Sequence, residues 1–243
     1  MSVFYLGTWQ AIHLERARVP LFISYRWLMR NGRVSRFNQR CPLAVDSGGF
    51  TQLSKFGEWT ITPEAFVEGL NHLRNLGLTY DFIAQQDWMC EPHIIEKTGL
   101  SVREHQTRTV ENYIRLIDLD ETLPFIPVLQ GYELEEYMEC LAIFEDAGVD
   151  LAKCERVGLG SVCRRQSSKE IGLLIESLSH LGLRLHGFGI KKGGLERSFP
   201  HLLSADSMAW SYEARRTGDP SDRNSLEYAL EWRDRVLEGT TWN

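Results

Sequence analysis

Eight short runs rich in β-branched and aromatic residues recur along the chain, and most are followed by a segment whose apolar residues return with helical spacing. The runs are VFYL (3–6), LFIS (21–24), LAVD (43–46), DFIAQ (81–85), FIPVL (125–129), RVGLG (156–160), LRLHGFG (183–189) and LLSAD (202–206). Strands that alternate with helices pair in parallel through right-handed crossovers. Eight such units can close into a (βα)8 TIM barrel, an α/β fold; a doubly wound open parallel sheet is the alternative.

The helical segments include Pro63 to Leu76, Val102 to Ile117, Leu134 to Ala147 and Lys169 to Leu181. Thr62 followed by Pro63 reads as an N-cap with proline at the first helical position, and Gly77, Gly148 and Gly182 stand where C-cap glycines belong. No low-complexity linker, fixed-period repeat or shift of composition divides the chain. We expect one domain over 1–243, with a polar loop at 217–225 before a last helix at 226–237.

Composition narrows the function classes. Hydrophobic residues at 43% and charged residues at 25% suit a soluble protein with a packed core. A net charge of -6 gives no global basic field, so a nucleic-acid partner needs a local patch. Cys41, Cys90, Cys140, Cys154 and Cys163 are odd in number and form no C-x-x-C pair, which argues against a disulfide framework and a zinc site. The seven histidines show no metal-binding spacing, and His186, within LRLHGFG, reads as a packed core residue. With no long apolar stretch either, the expectation is a cytoplasmic protein.

In a barrel the chemistry gathers at the C-terminal ends of the strands. There the chain carries Asp46-Ser47-Gly48-Gly49, Asp87, Gln130-Gly131, Gly158 to Ser161, Gly189 and Asp206-Ser207. Three aspartates after three strands can divide into nucleophile, general acid/base and substrate anchor. Each can equally cap the helix that follows its strand. The Gln130 amide offers a donor and an acceptor to a planar heterocycle, or a structural bond to a neighbouring loop.

Taken in order, FYLGTW, PLFISYRWL, VDSGGF, QQDW, VLQGY, VGLGSVCRR, HGFGIKKGGL and SADSMAWS resemble the tRNA-guanine transglycosylase superfamily. They most resemble its DNA-acting branch, the DpdA family of 7-deazaguanine DNA transglycosylases. The resemblance implies a TIM barrel that exchanges guanine in DNA for a 7-deazaguanine such as 7-cyano-7-deazaguanine; the alternatives are the same exchange on tRNA, or a non-catalytic nucleic-acid-binding subunit. It implies Asp206 as nucleophile and Asp46 as general acid/base. Ser47, Gly48, Gly49 and Phe50 would build the pocket, Asp87 would read the amidine edge of the base, and Gln130-Gly131 its carbonyl side. Gly158, Leu159 and Gly160 would bring backbone groups against the ring.

Phosphate contacts are expected from Arg164, Arg165, Lys191, Lys192, Arg215 and Arg216, which follow strand ends. The superfamily's structural zinc is expected to be absent, since TGDPSDRNSLEYAL holds neither cysteine nor histidine, and no cofactor is expected. The lack of that zinc and of an added RNA-binding domain within these residues favours DNA. A helper protein stands among the open partners.

Overall fold

The β-rich runs become parallel strands: β1 (Val3–Thr8), β2 (Leu21–Ser24), β3 (Leu43–Asp46), β4 (Phe82–Ala84), β5 (Phe125–Ile126), β6 (Val128–Leu129), β7 (Val157–Leu159), β8 (Leu185–Gly187) and β9 (Ser204–Ser207). The structure, a computed structural model, describes residues 2–31, 35–162, 169–190, 199–217, 221–238 and 242.

The hydrogen-bonded order is β5-β4-β3-β2-β1-β9-β8-β7-β6. The two ends of that order, β5 and β6, are halves of the single run FIPVL, separated by Pro127 alone. The sheet therefore comes round on itself as a TIM-barrel-like closure, and the doubly wound alternative is set aside. The run divides because proline has no N–H for the ladder. The Pro127 carbonyl still accepts from the Gly158 N–H at 2.8 Å, so pairing continues across the gap.

Helices cover the outside: α1 (His13–Arg16), α2 (Tyr25–Asn31), α3 (Gly49–Phe56), α4 (Pro63–Asn75), α5 (Pro92–Thr98), α6 (Val102–Leu119), α7 (Leu134–Asp146), α8 (Lys169–Ser179), α9 (Ala209–Thr217) and α10 (Leu226–Leu237). The capping signals act as the sequence suggests. The Thr62 side chain accepts from the Ala65 N–H, and Gly77 and Gly148 follow α4 and α7 with φ of 99° and 82°. Among the described residues no helix is long and apolar enough to cross a membrane.

Alternation along each strand separates two layers. Phe4, Leu6, Ile23, Leu43, Val45 and Ile83 face outward into the large core beneath the helices. Tyr5, Phe22, Ala44, Phe82 and Ile126 face inward as a second cluster that fills the barrel. The same two-residue step carries the inner face up from Phe22, Ala44 and Ser204 to Ser24, Asp46 and Asp206 at the C-terminal mouth. The floor is closed by the Tyr5 hydroxyl donating to Asp81 and by the Arg156 guanidinium 4.4 Å above the Phe82 ring.

Candidate active site

The mouth holds a cavity of about 210 Å³, lined by Phe22, Asp46, Gly49, Phe50, Ala84, Asp87, Met89, Gln130, Gly160, Ser161, Phe188, Gly189 and Asp206. Three carboxylates and one carboxamide thus converge from four strand ends. None of the three aspartates caps a helix. Gly48 occupies the N-cap of α3 with no side-chain bond, Glu91 precedes α5, and Ser207 accepts the Ala209 N–H at the start of α9.

Asp206 ends the inner face of β9 and is 5% exposed. Its Oδ1 accepts the Gly189 N–H at 2.9 Å, and His186 Nε2 stands 3.4 Å from the same oxygen. Gly189 has φ of 62°, a left-handed turn open to glycine, and that turn aims its N–H at the carboxylate. Burial lowers the pKa of His186, so it is a neutral imidazole near neutrality; the Ser204 hydroxyl lies 2.9 Å from its Nδ1.

Asp46 is held differently. The Gly48 N–H donates to its Oδ1 at 3.1 Å. Burial raises its pKa, the nearby Asp206 charge raises it further, and bonds from Gly48 and Ser24 oppose the shift. A carboxyl whose protonated form is favoured suits proton donation to a leaving group.

Asp87 sits on a loop tied down by α6 and its surroundings. Thr109 Oγ1 accepts the Trp88 N–H at 2.8 Å, Asn112 donates to the Gln86 carbonyl at 2.7 Å, and Trp59 Nε1 donates to the Asp87 carbonyl at 3.2 Å. Beneath lies a small apolar cluster of Leu53, Trp88, Met89 and Ile94. Gln130 Nε2 donates to Asp87 Oδ2, and Gln130 Oε1 accepts from the Ser161 hydroxyl at 2.7 Å. Burial pushes the Asp87 carboxyl up to about 7, and the charges of Asp46 and Glu91 add to the shift.

Ser161 has a φ of 56°, the one positive value among described residues other than glycine. Its hydroxyl accepts the Cys90 N–H at 2.9 Å and faces both Gln130 Oε1 and Glu91 Oε2, the latter at 2.9 Å. One hydroxyl proton serves one of those two acceptors at a time. The Gln130 amide is thereby linked to the buried Glu91.

The expected site residues divide. Asp46, Gly49, Phe50, Asp87, Gln130, Gly160 and Asp206 line the cavity. Ser47 and Gly48 face a neighbouring groove instead. Gly131 gives clearance to α7, where an added Cβ would stand 2.7 Å from the Tyr137 nitrogen. Gly158 makes room for the Phe188 ring, since a Cβ there would lie 2.7 Å from Phe188 Cε2. The Leu159 side chain points outward into the main core.

Arg215 and Arg216 are exposed on α9 and do not line the cavity. Arg164, Arg165, Lys191 and Lys192 lie outside the described residues. Phe22, Ala84, Met89 and Phe188 complete the wall without having been singled out, together with Ser161 and Gly189, which were noted as strand-end residues without an assigned role. Among the described residues no three His, Cys, Asp or Glu side chains group as a metal site.

In comparisons with known proteins, no curated protein matches the chain. One family does: the sequence model described as DpdA, DeoxyPurine in DNA protein A, matches residues 1–243, the whole chain.

Proposed function

Because the chain belongs to the DpdA family, we propose that it is a transglycosylase that replaces guanine in DNA with a 7-deazaguanine, such as 7-cyano-7-deazaguanine. The observation that carries this reading is the meeting of Asp46, Asp87, Gln130 and Asp206 around one cavity at the barrel mouth. A flat heterocycle with an amidine edge and a carbonyl fits the paired acceptor and donor of Asp87 and Gln130.

In the proposed reaction an Asp206 oxygen attacks C1′ of the target nucleotide as the bond from C1′ to guanine breaks. Asp46 gives its proton to the departing base. The result is a covalent glycosyl ester on Asp206 and a charged Asp46. The incoming 7-deazaguanine gives its ring N–H proton to Asp46 and attacks C1′, releasing Asp206. Two displacements at one carbon retain its configuration. The phosphodiester backbone is untouched, and no redox cofactor or resident metal enters.

His186 and the Gly189 N–H hold the Asp206 oxygen in place between the two steps. A guanine inside a duplex is out of reach, so the target is single-stranded or flipped out, at a cost of a few kcal/mol. The reading sets the chain in the cytoplasm with its DNA. It is tested by nucleoside mass spectrometry of DNA from cells expressing the chain with a deazaguanine supply. The expected result is a 7-deazaguanine nucleoside in DNA; deazaguanine in tRNA alone would move the substrate to RNA.

A further inference from the structure

The loop VDSGGF divides two cavities of opposite character. Asp46, Gly49 and Phe50 face the base cavity, whereas Ser47 and Gly48 face a groove of about 440 Å³ between α2 and α3. The reversal comes from Gly48, whose φ of 91° turns the chain through a left-handed conformation. Among the described residues, carboxylates line the base cavity and no cation does. The groove is lined by Arg26, Arg30 and Lys55, and among the described residues by no carboxylate.

Arg26 and Arg30 are one helical turn apart on α2 and so share a face, with Lys55 opposite on α3. All three are exposed, and among the described residues none makes an ion pair. The Arg30 guanidinium lies 4.8 Å over the Trp27 ring and the Lys55 ammonium 4.9 Å over Phe56. At the groove's inner wall Ser47, 3% exposed, carries a hydroxyl with no hydrogen-bond partner. A buried hydroxyl is rarely left unpaired, so the orphan points to a polar ligand.

A nucleotide has the matching division, a flat neutral base joined through its sugar to an anionic phosphodiester. We propose that this groove holds a phosphodiester of the DNA strand next to the target nucleotide while the base occupies the carboxylate-lined cavity. Arg26, Arg30 and Lys55 neutralise the backbone, and the Ser47 hydroxyl donates to a phosphate oxygen. This rests on the base-exchange reading of the adjoining cavity. It also explains how a chain of net charge -6 holds a polyanion.

The test is fluorescence anisotropy of a labelled single-stranded DNA oligonucleotide across a salt series. It compares the wild-type chain with a combined Arg26→Ala, Arg30→Ala, Lys55→Ala variant and with Arg26→Lys, Arg30→Lys. The alanine variant is expected to lose about 2 units of the slope of log affinity against log salt, near 0.7 per lost contact. In the exchange assay its KM for DNA rises at least about tenfold while its KM for the free base is unchanged. The lysine variant keeps the slope, and unchanged thermal unfolding of both variants excludes a folding cause. An alanine variant with wild-type slope and wild-type DNA KM overturns the groove assignment even if exchange is intact. Salt-sensitive DNA binding that the alanine variant loses, in a wild-type chain that exchanges no base, overturns the base-exchange reading and leaves the groove standing.

Discussion

His186 Nε2 lies 3.4 Å from Asp206 Oδ1, and the His186 ring is fully buried among Tyr5, Phe22, Phe82 and Phe188. His186 Nδ1 lies 2.9 Å from the Ser204 hydroxyl, and in the tautomer where that hydroxyl donates, the ring proton sits on Nε2 and faces the carboxylate. His186→Phe preserves the aromatic packing and removes that proton. We expect the turnover of base exchange to fall about 10-fold as the polar contact at 3.4 Å to the carboxylate is lost, with KM for the base unchanged. Steady-state kinetics checks this; turnover within twofold of wild type removes His186 from the account.

Asp87 sets a pH dependence whose sign follows from its burial. In the folded chain its pKa is raised to about 7, against about 3.9 in an unfolded chain. Between those values the folded state keeps a proton that the unfolded state has lost, so stability falls as pH rises through that window. Asp87→Asn removes this titration. The variant is expected to gain in melting temperature over wild type as pH is raised from about 4 to 8, and to lose base exchange. Differential scanning calorimetry at several pH values reads the trend, and parallel curves for the two proteins contradict it.

Gly160 is where a side chain cannot be added without moving the Gln130 amide. A Cβ at this position overlaps the Gln130 carboxamide, which is itself fully buried and bonded at both ends. Gly160→Ala is expected to cost about 1–3 kcal/mol by overpacking and to raise the KM for the base more than the KM for DNA. Chemical denaturation and kinetics measure the two effects; an unperturbed base KM means that Gln130 does not read the base.

Ser161 separates strain from hydrogen bonding. Ser161→Ala keeps the left-handed backbone and leaves the buried Cys90 N–H and Gln130 Oε1 without their partner, at about 1–3 kcal/mol. Ser161→Gly loses the same bonds and relieves the strained φ, so it is expected to be the more stable of the two by about 1 kcal/mol. Urea unfolding ranks them, and the reverse order contradicts the assignment of strain.

The barrel and the polar cluster at its mouth were legible in the sequence because parallel strands followed by helices leave a period in the order of the residues. Asp46, Asp87, Gln130 and Asp206 stood out because strand ends are few and polar residues there are fewer. The side of the loop on which Ser47 and Gly48 fall was not legible, since it depends on one left-handed residue. The inner wall at Phe22, Ala84 and Phe188 was hidden because β2 and β4 are four and three residues long, too short for alternation to separate in from out, and Phe188 lies just past the end of β8. His186 read as core and is core, yet its register on β8 places it against Asp206. Arg26 and Arg30 escaped a search for adjacent basic pairs because they meet only through the pitch of α2.

The central claim is that Asp206 carries the glycosyl group while guanine leaves DNA and another base enters. The most direct measurement follows isotopically labelled guanine into DNA with the purified chain, and compares wild type with Asp206→Asn. The account predicts label in intact DNA strands with the wild-type chain and none with the variant, which keeps its fold and its affinity for the oligonucleotide. Full exchange by Asp206→Asn would contradict it.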